Sequence, residues 1–253
     1  MNLRAVLLDV DGVLCIRDEV IEGAPQALKE LKKKYRIALV TNTTRVPSKT
    51  IFEKLKFLGF DIRESELFTA LKVTKGFLLK NKANAYLLTT DEAKEEFTGL
   101  ESYPLKYVVV ADAYSNFTYQ NLNKAFRLLL EGAELIAVAP NKYFMDKDGK
   151  LSLDAGPFIK ALEYATEKNA IVIGKPSYEF FTVVLEYLKA RPEETLMVGD
   201  DIEFDVLGAQ KFGMRGCLVK TGKFRDKDLE RGIKPDLIIQ SIKELPGTLE
   251  AKL

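Results

Sequence analysis

Ala5-Val6-Leu7-Leu8-Asp9-Val10-Asp11-Gly12-Val13-Leu14 is an apolar run that ends in two carboxylates and a glycine. Ala5 to Leu8 reads as a buried strand. Asp9 and Asp11, two positions apart, fall on one face of it. They lie at its C-terminal end, where open α/β sheets bind ligands, and Gly12 permits a sharp exit. Adjacent carboxylates repel, and they are tolerated where a cation neutralises them or where one holds a proton. The pair points either to a hard metal site or to a nucleophile beside an acid/base. The ordinary alternative is a solvated Asp-Gly turn after a strand.

Outward from this stretch, strands and helices alternate. Pro25 opens an amphipathic helix with Ala27, Leu28 and Leu31 on one face, and Ile37 to Val40 is a second apolar strand. Ser48 to Leu58 is helical and stops at Gly59. A short strand follows over Leu67 to Thr69. The middle block has strands over Ala85–Leu88, Tyr107–Val110 and Leu135–Ala139, and helices over Asp91–Phe97, Asn121–Leu130 and Pro157–Thr166. Strands over Ala170–Ile173, Thr195–Val198, Gly216–Val219 and Leu237–Ile239 complete the chain. Such βαβ alternation predicts an α/β fold with a mostly parallel sheet.

Three more strand ends carry polar groups: Thr41-Asn42, Lys175 after Gly174, and Asp200-Asp201 after Gly199, with Asp205 four residues on. In a parallel sheet such ends converge on one rim. Taken singly, each reads as a Gly-Asp turn, a capping threonine or a surface lysine; taken together, they describe one polar site. Carboxylates and a strand-end carbonyl suit Mg²⁺, which pairs with phosphate and keeps several waters. A hydroxyl, an amide and an ammonium suit the remaining phosphoryl oxygens. Phosphate monoester hydrolysis is slow enough that enzymes accelerate it by up to about 10²¹-fold.

Composition narrows the chemistry. The chain has 253 residues, 47% hydrophobic and 30% charged, with 38 basic and 37 acidic side chains and a formal charge of +1. It can bury a full core, and its balanced charge argues against nucleic acid or an anionic membrane as partner. No apolar run approaches a membrane span, and the N-terminus lacks a signal-peptide pattern. Two cysteines, Cys15 and Cys217, fit a reducing cytoplasm, although a bridge between them stays open. Histidine is absent. That excludes Ser-His-Asp and Cys-His catalysis and the usual zinc ligand sets. High charge with few Gln, Met and Cys resembles thermophile usage.

Asp9-Val10-Asp11-Gly12-Val13, Val40-Thr41-Asn42, Gly174-Lys175-Pro176 and Val198-Gly199-Asp200-Asp201 with the trailing Asp205 resemble, in order and spacing, the four motifs of haloacid dehalogenase (HAD) superfamily phosphatases. The likeness spans nearly the whole chain. The insert of about 100 residues between the second and third motifs exceeds ordinary loop length. It resembles the large α/β cap of the NagD-like subclass IIA. Asn123 to Ala133 and Leu218-Val219-Lys220-Thr221-Gly222-Lys223-Phe224 resemble the branch holding phospholysine/phosphohistidine/pyrophosphate phosphatases and HAD-like hydrolase domain-containing proteins.

The resemblance implies a Rossmann-like core over 1–72 and 173–253 and an inserted cap over 73–172. It implies a Mg²⁺-dependent phosphatase acting on a small phosphorylated metabolite, with a homodimer as the expected assembly. Asp9 is the implied nucleophile and Asp11 the acid/base. Thr41, Asn42 and Lys175 hold the phosphoryl group. Mg²⁺ is expected on the Asp9 carboxylate, the Asp11 carbonyl and Asp200, with Asp201 and Asp205 ordering metal waters or Lys175 and Gly12 freeing the chain beside the ligand. Asp11 marks phosphoryl transfer rather than dehalogenation. The lysine that follows the nucleophile in P-type ATPases is absent, and the large insert does not match a mutase's small helical cap. A non-catalytic phospholigand-binding or scaffolding protein is the alternative.

Further positions carry two readings each. Arg45 meets an anionic leaving group or is a solvated helix-start arginine. Tyr143 and Phe144 belong to the cap, whose loops choose substrates in relatives. The Tyr114 to Tyr119 aromatics contact substrate or pack. Asp146-Lys147-Asp148-Gly149 superficially matches part of an EF-hand loop, but later ligands are missing and a hairpin turn is preferred. Cys15 is an oxidant-sensitive thiol or a buried small residue.

Overall fold

A computed structural model describes residues 2–145 and 150–251. It divides into two compact units: Met1–Thr41, Lys49–Phe68 and Lys175–Leu253 form the first, and Asn42–Ser48 with Thr69–Gly174 form the second.

The first unit is built on a six-stranded sheet. Its order is Leu237–Ile239, Arg215–Val219, Thr195–Gly199, Ala5–Asp9, Arg36–Thr41, Leu67–Thr69. Ala5–Asp9 pairs in parallel with Arg36–Thr41 on one side and with Thr195–Gly199 on the other. The chain therefore runs outward from Ala5–Asp9 to one edge and later returns to its other flank, which makes this strand's end the topological switch point. Ala5, Val6, Leu7 and Leu8 have no exposed surface. Burying each large side chain stabilises the sheet by about 1.5–3 kcal/mol. The register aligns Leu8 with Val198 and Asp9 with Val40, so Thr41, Gly199 and Asp200 all fall beside or just beyond Asp9.

Helix Ala24–Lys32 follows Gly23, carries Pro25 in its first turn, and buries Ala24, Ala27, Leu28 and Leu31, as the spacing predicts. The second unit has a four-stranded parallel sheet in the order Ile171–Val172, Glu134–Ala137, Leu105–Val110, Asn84–Leu88. Helices Tyr119–Leu130 and Ala155–Thr166 contribute Ala125, Leu129, Ile159 and Leu162 to its core. Tyr143–Met145 and Leu151–Leu153 pair antiparallel. The Asp146 to Gly149 turn expected between them lies outside the described residues.

The structure differs from the sequence reading in places. The helix expected over Asp91–Phe97 is a short 3₁₀ turn, Ala93–Phe97, entered through the Ala93 N–H donating to Thr90 Oγ1 at 3.1 Å. Helices Ala70–Lys80 and Tyr178–Leu188 lie outside the periodicity read above.

Candidate active site

Four groups of the first unit meet at the end of the central strand. Asp9 is buried as the last residue of its strand, and its Oδ1 accepts hydrogen bonds from its neighbour Val10 N–H at 2.9 Å and from Lys175 Nζ at 2.8 Å. Lys175, 3% exposed, also donates to Asp205 Oδ1 at 2.8 Å. The second Asp205 oxygen accepts the Asp201 N–H at 3.3 Å. Asp200 is buried at the exit of Thr195–Gly199. Carboxylate oxygens of Asp9, Asp200 and Asp205 lie within 4.8 Å of one another.

Local sequence explains how these groups come so close. Asp205 sits in a π-helix, Ile202–Leu207, in which the Val206 N–H reaches the Asp201 carbonyl five residues back. That widened turn brings its carboxylate against Gly199, where a Cβ would stand 2.2–2.3 Å from the Asp205 side chain. Any residue larger than glycine there would displace Asp205 and, with it, Lys175.

The electrostatics show a surplus of negative charge. Burial alone would lower the Lys175 pKa, but Asp205 and Asp9 override it and hold the ammonium charged. Asp200 is pushed up to about 8, first by burial and then by the charge of Asp9. Asp205 is also raised, by burial and by Asp9, against the pull of Lys175. One ammonium therefore does not neutralise the buried carboxylates. Among the described residues nothing donates a hydrogen bond to the buried Asp200 Oδ1, and leaving such an oxygen unsatisfied costs about 1–3 kcal/mol unless a cation takes it. An oxygen-only donor set with an unsatisfied buried oxygen fits a hard divalent ion such as Mg²⁺.

The other residues singled out from sequence take distinct positions. Thr41, 2% exposed, ends its strand one residue beyond Val40, the partner of Asp9. Asp11 is exposed, and Gly12 is buried with φ +84°. Asp201 caps the π-helix: its Oδ1 accepts the Glu203 and Phe204 N–H groups, both at 2.9 Å. Its Oδ2 pairs with Lys223 Nζ at 2.9 Å. Burial would raise the Asp201 pKa, yet Lys223 and those two N–H groups hold it below the usual carboxylate range. Asn42 belongs to the second unit, where its Oδ1 lies 2.8 Å from the position a Gly174 Cβ would take.

Cys15 and Cys217 are both buried, and burial first, then Asp11, pushes the Cys15 thiol up to about 11. That is the inert member of the two readings. Arg45 is neither a plain solvated arginine nor an open cation: it pairs through Nε with Asp112, and the Tyr114 and Phe144 rings lie 4.5 and 4.2 Å from its guanidinium carbon.

One part of the site escapes the motif reading. Thr221-Gly222-Lys223 follows the strand Arg215–Val219 and touches both Gly12 and Asp200. The stretch stands out in the sequence only as a branch marker. Its signal is the same rule that flags the other positions, a polar cluster at the end of a parallel strand.

Comparison with known proteins agrees with this geometry. A family model described as haloacid dehalogenase-like hydrolase matches residues 6–101, and a HAD-hydrolase-like model matches residues 172–245. The chain is 46% identical over 230 residues to haloacid dehalogenase-like hydrolase domain-containing protein 2 of Mus musculus, covering 90% of this chain and 88% of that protein. It is 40% identical over 234 residues to phospholysine phosphohistidine inorganic pyrophosphate phosphatase of Danio rerio, covering 90% and 86%. The crystal structure of a 4-nitrophenylphosphatase from Thermotoga maritima superposes with a TM-score of 0.88 at 29% identity, covering 97% of each chain.

Proposed function

The chain belongs to the haloacid dehalogenase-like hydrolases, and from that premise we propose that it is a Mg²⁺-dependent phosphatase that hydrolyses a small phosphate monoester, or a related phosphoryl compound, through a phosphoaspartate on Asp9. The observation that carries the reading is the Asp9–Lys175–Asp205 arrangement beside the unsatisfied oxygen of Asp200.

Asp9 Oδ1 already accepts two hydrogen bonds, so attack on phosphorus is assigned to Oδ2. A bond forms from Oδ2 to phosphorus while the ester P–O bond breaks, and Asp11, exposed beside the site, gives its proton to the leaving oxygen. Asp11 then takes a proton from the attacking water as the acyl-phosphate P–O bond breaks and releases inorganic phosphate. Lys175 orients the Asp9 carboxylate through their hydrogen bond and pairs with the transferring group. Thr41 and Asn42 supply a hydroxyl and an amide to its remaining oxygens.

Mg²⁺ would be held by the Asp9 carboxylate, the Asp11 carbonyl and Asp200 Oδ1, where it offsets phosphoryl charge. Asp205 orients Lys175, and Asp201 orders its own helix. The inserted unit serves in this reading as a cap that favours small substrates. Among the described residues no helix is long and apolar enough to cross a membrane. A cytoplasmic address and a homodimer belong to the reading through resemblance.

The test is release of p-nitrophenol from p-nitrophenyl phosphate with Mg²⁺. Asp9→Asn is expected to lose at least about 10³-fold in kcat. Equal turnover by both proteins would remove Asp9 from the role. No turnover by either, on a varied panel of phosphoesters, would favour the phospholigand-binding alternative.

A further inference from the structure

Asp200 is seated by a turn to which the catalytic reading gives no part. After the strand Arg215–Val219, the Lys223 backbone N–H donates to Asp200 Oδ2 at 2.7 Å, and the Thr221 hydroxyl donates to the Gly12 carbonyl. Gly222 closes the gap between these anchors. A Cβ on it would stand 2.1 Å from Asp200 Oδ2 and 2.6 Å from Gly12 Cα. A Cβ on Gly12 would likewise stand 2.1 Å from Asp200 Oδ2.

Both walls of the slot around this carboxylate are thus bare backbone, at φ +65° and +84°, a region that L side chains rarely adopt. The turn reaches the rest of the site as well. Lys223 Nζ pairs with Asp201, the cap of the π-helix that carries Asp205.

We propose that Thr221-Gly222-Lys223 is the positioning element for Asp200 as a metal ligand. Its main chain occupies Oδ2 and turns Oδ1 alone toward the cation. Its hydroxyl fixes the Gly12 backbone next to the Asp11 carbonyl, and the Lys223 ammonium stands as the resident positive charge that an incoming cation must oppose. Backbone and side chain of Lys223 therefore act in opposite senses on metal affinity. The inference rests on the metal-dependent reading of the same site.

The experiment is Mn²⁺ binding to the full chain without substrate, read by electron paramagnetic resonance and by titration calorimetry, so that no turnover enters. Gly222→Ala is expected to weaken Mn²⁺ at least tenfold, because the added carbon displaces the carboxylate. Thr221→Val should weaken it severalfold and Thr221→Ser should restore it. Lys223→Met keeps the N–H and removes a like charge, so it should tighten Mn²⁺ about two- to fivefold at low salt, with the gain fading as salt is raised.

Wild-type affinity in both Gly222→Ala and Thr221→Val, or weakening in Lys223→Met equal to that in Gly222→Ala, would overturn the proposal. Should Gly222→Ala fail to fold by circular dichroism, the Thr221 pair and Lys223→Met decide. A wild-type protein that binds no Mn²⁺ would overturn both the metal reading and this one. Normal wild-type binding with indifferent variants would overturn this one alone.

Discussion

The two units each contain an ionic cluster, and they treat charge in opposite ways. In the first unit Lys175 faces Asp9 and Asp205, with Asp200 close by and one of its oxygens unsatisfied. In the second unit Arg45 forms its ion pair with Asp112, and the buried Asp154, near enough to feel both charges, is held by its own helix N–H. The Arg45 carbonyl accepts the Thr90 hydroxyl at 2.6 Å, the other Asp112 oxygen accepts the Tyr114 N–H at 3.1 Å, and the Asp112 N–H donates to Thr44 Oγ1 at 3.2 Å. Two aromatic rings cover the guanidinium, and its buried Nη2 finds no hydrogen-bond acceptor among the described residues. A cluster that closes on itself orders a chain segment, here Asn42–Ser48 within its own unit. A cluster with excess charge and an unsatisfied oxygen is built for something else to enter. Ion pairs as such do not mark a site; the imbalance does.

The strongest way to break this contrast is Lys175→Met. Removing the ammonium leaves Asp9 and Asp205 buried without their cation, and losing one partner of a buried pair typically costs about 3–5 kcal/mol. Urea unfolding should show that loss, and turnover should fall below detection. Adding Asp205→Asn should recover part of the stability and none of the activity. A Lys175→Met protein as stable as wild type would mean that the carboxylates there are not jointly ionised.

Arg45 and Asp112 offer the smaller counterpart. A double-mutant cycle with Arg45→Met and Asp112→Asn should yield a coupling of about 1–3 kcal/mol, since the pair is partly buried and charge-assisted. The aromatic contacts add about 0.5–1 kcal/mol each to the cost of Arg45→Met alone. A coupling near zero in chemical denaturation would show that the rings, not the ion pair, hold the arginine.

The legible parts of this fold are those with a single strong local signal. Ala5–Asp9, Arg36–Thr41 and Thr195–Gly199 announce themselves as short apolar runs, and the polar residues at their exits point to Asp9, Thr41 and Asp200 from the residue order alone. The shared rim expected for Lys175 does not hold: the strand before it, Ile171–Val172, belongs to the second unit's sheet, and Lys175 pairs with Asp9 because the chain resumes the first unit at that residue. Helix Tyr178–Leu188 hides behind its composition, because Tyr, Phe, Thr and Val favour strands. Its 3.6-residue spacing of Phe181, Val184, Leu185 and Leu188, and the Ser177 side chain capping Phe180 N–H at 3.1 Å, overrule that preference. Ala70–Lys80 begins directly after a strand, with no loop to mark the change, and contains Val73, Thr74 and Gly76, all weak helix formers. Within the site, the Asp201 turn and the π-helix geometry of Asp205 depend on a backbone hydrogen bond five residues long, which no residue pattern encodes. Gly222 is unreadable for a related reason: its role is the absence of a side chain where two distant segments meet.

The smallest effect probes how closed the second cluster is. Asp154 caps helix Ala155–Thr166 through the Ala155 N–H at 2.7 Å. Its pKa is raised chiefly by burial and further by Asp112, while that hydrogen bond, Asn141 and Arg45 pull it down. Between the ordinary carboxylate pKa of the unfolded chain and the higher folded value, the folded protein holds more proton than the unfolded one. Stability attributable to Asp154 therefore falls as pH rises through that window and is fully present only below it. Asp154→Asn keeps a capping side chain and removes the titration. Thermal unfolding of the variant should lose that downward step, and at pH 7 the variant should match or exceed wild type by less than about 1 kcal/mol. In an Asp112→Asn background the wild-type step should shrink, because one source of the raised pKa is gone. A wild-type step that is unchanged there would place its cause in burial alone and make the Arg45–Asp112 pair electrically self-contained. A step that reverses, with Asp154→Asn less stable at pH 7 than at pH 4 relative to wild type, would show that the ionised form is the favoured one and that this cluster too carries room for positive charge.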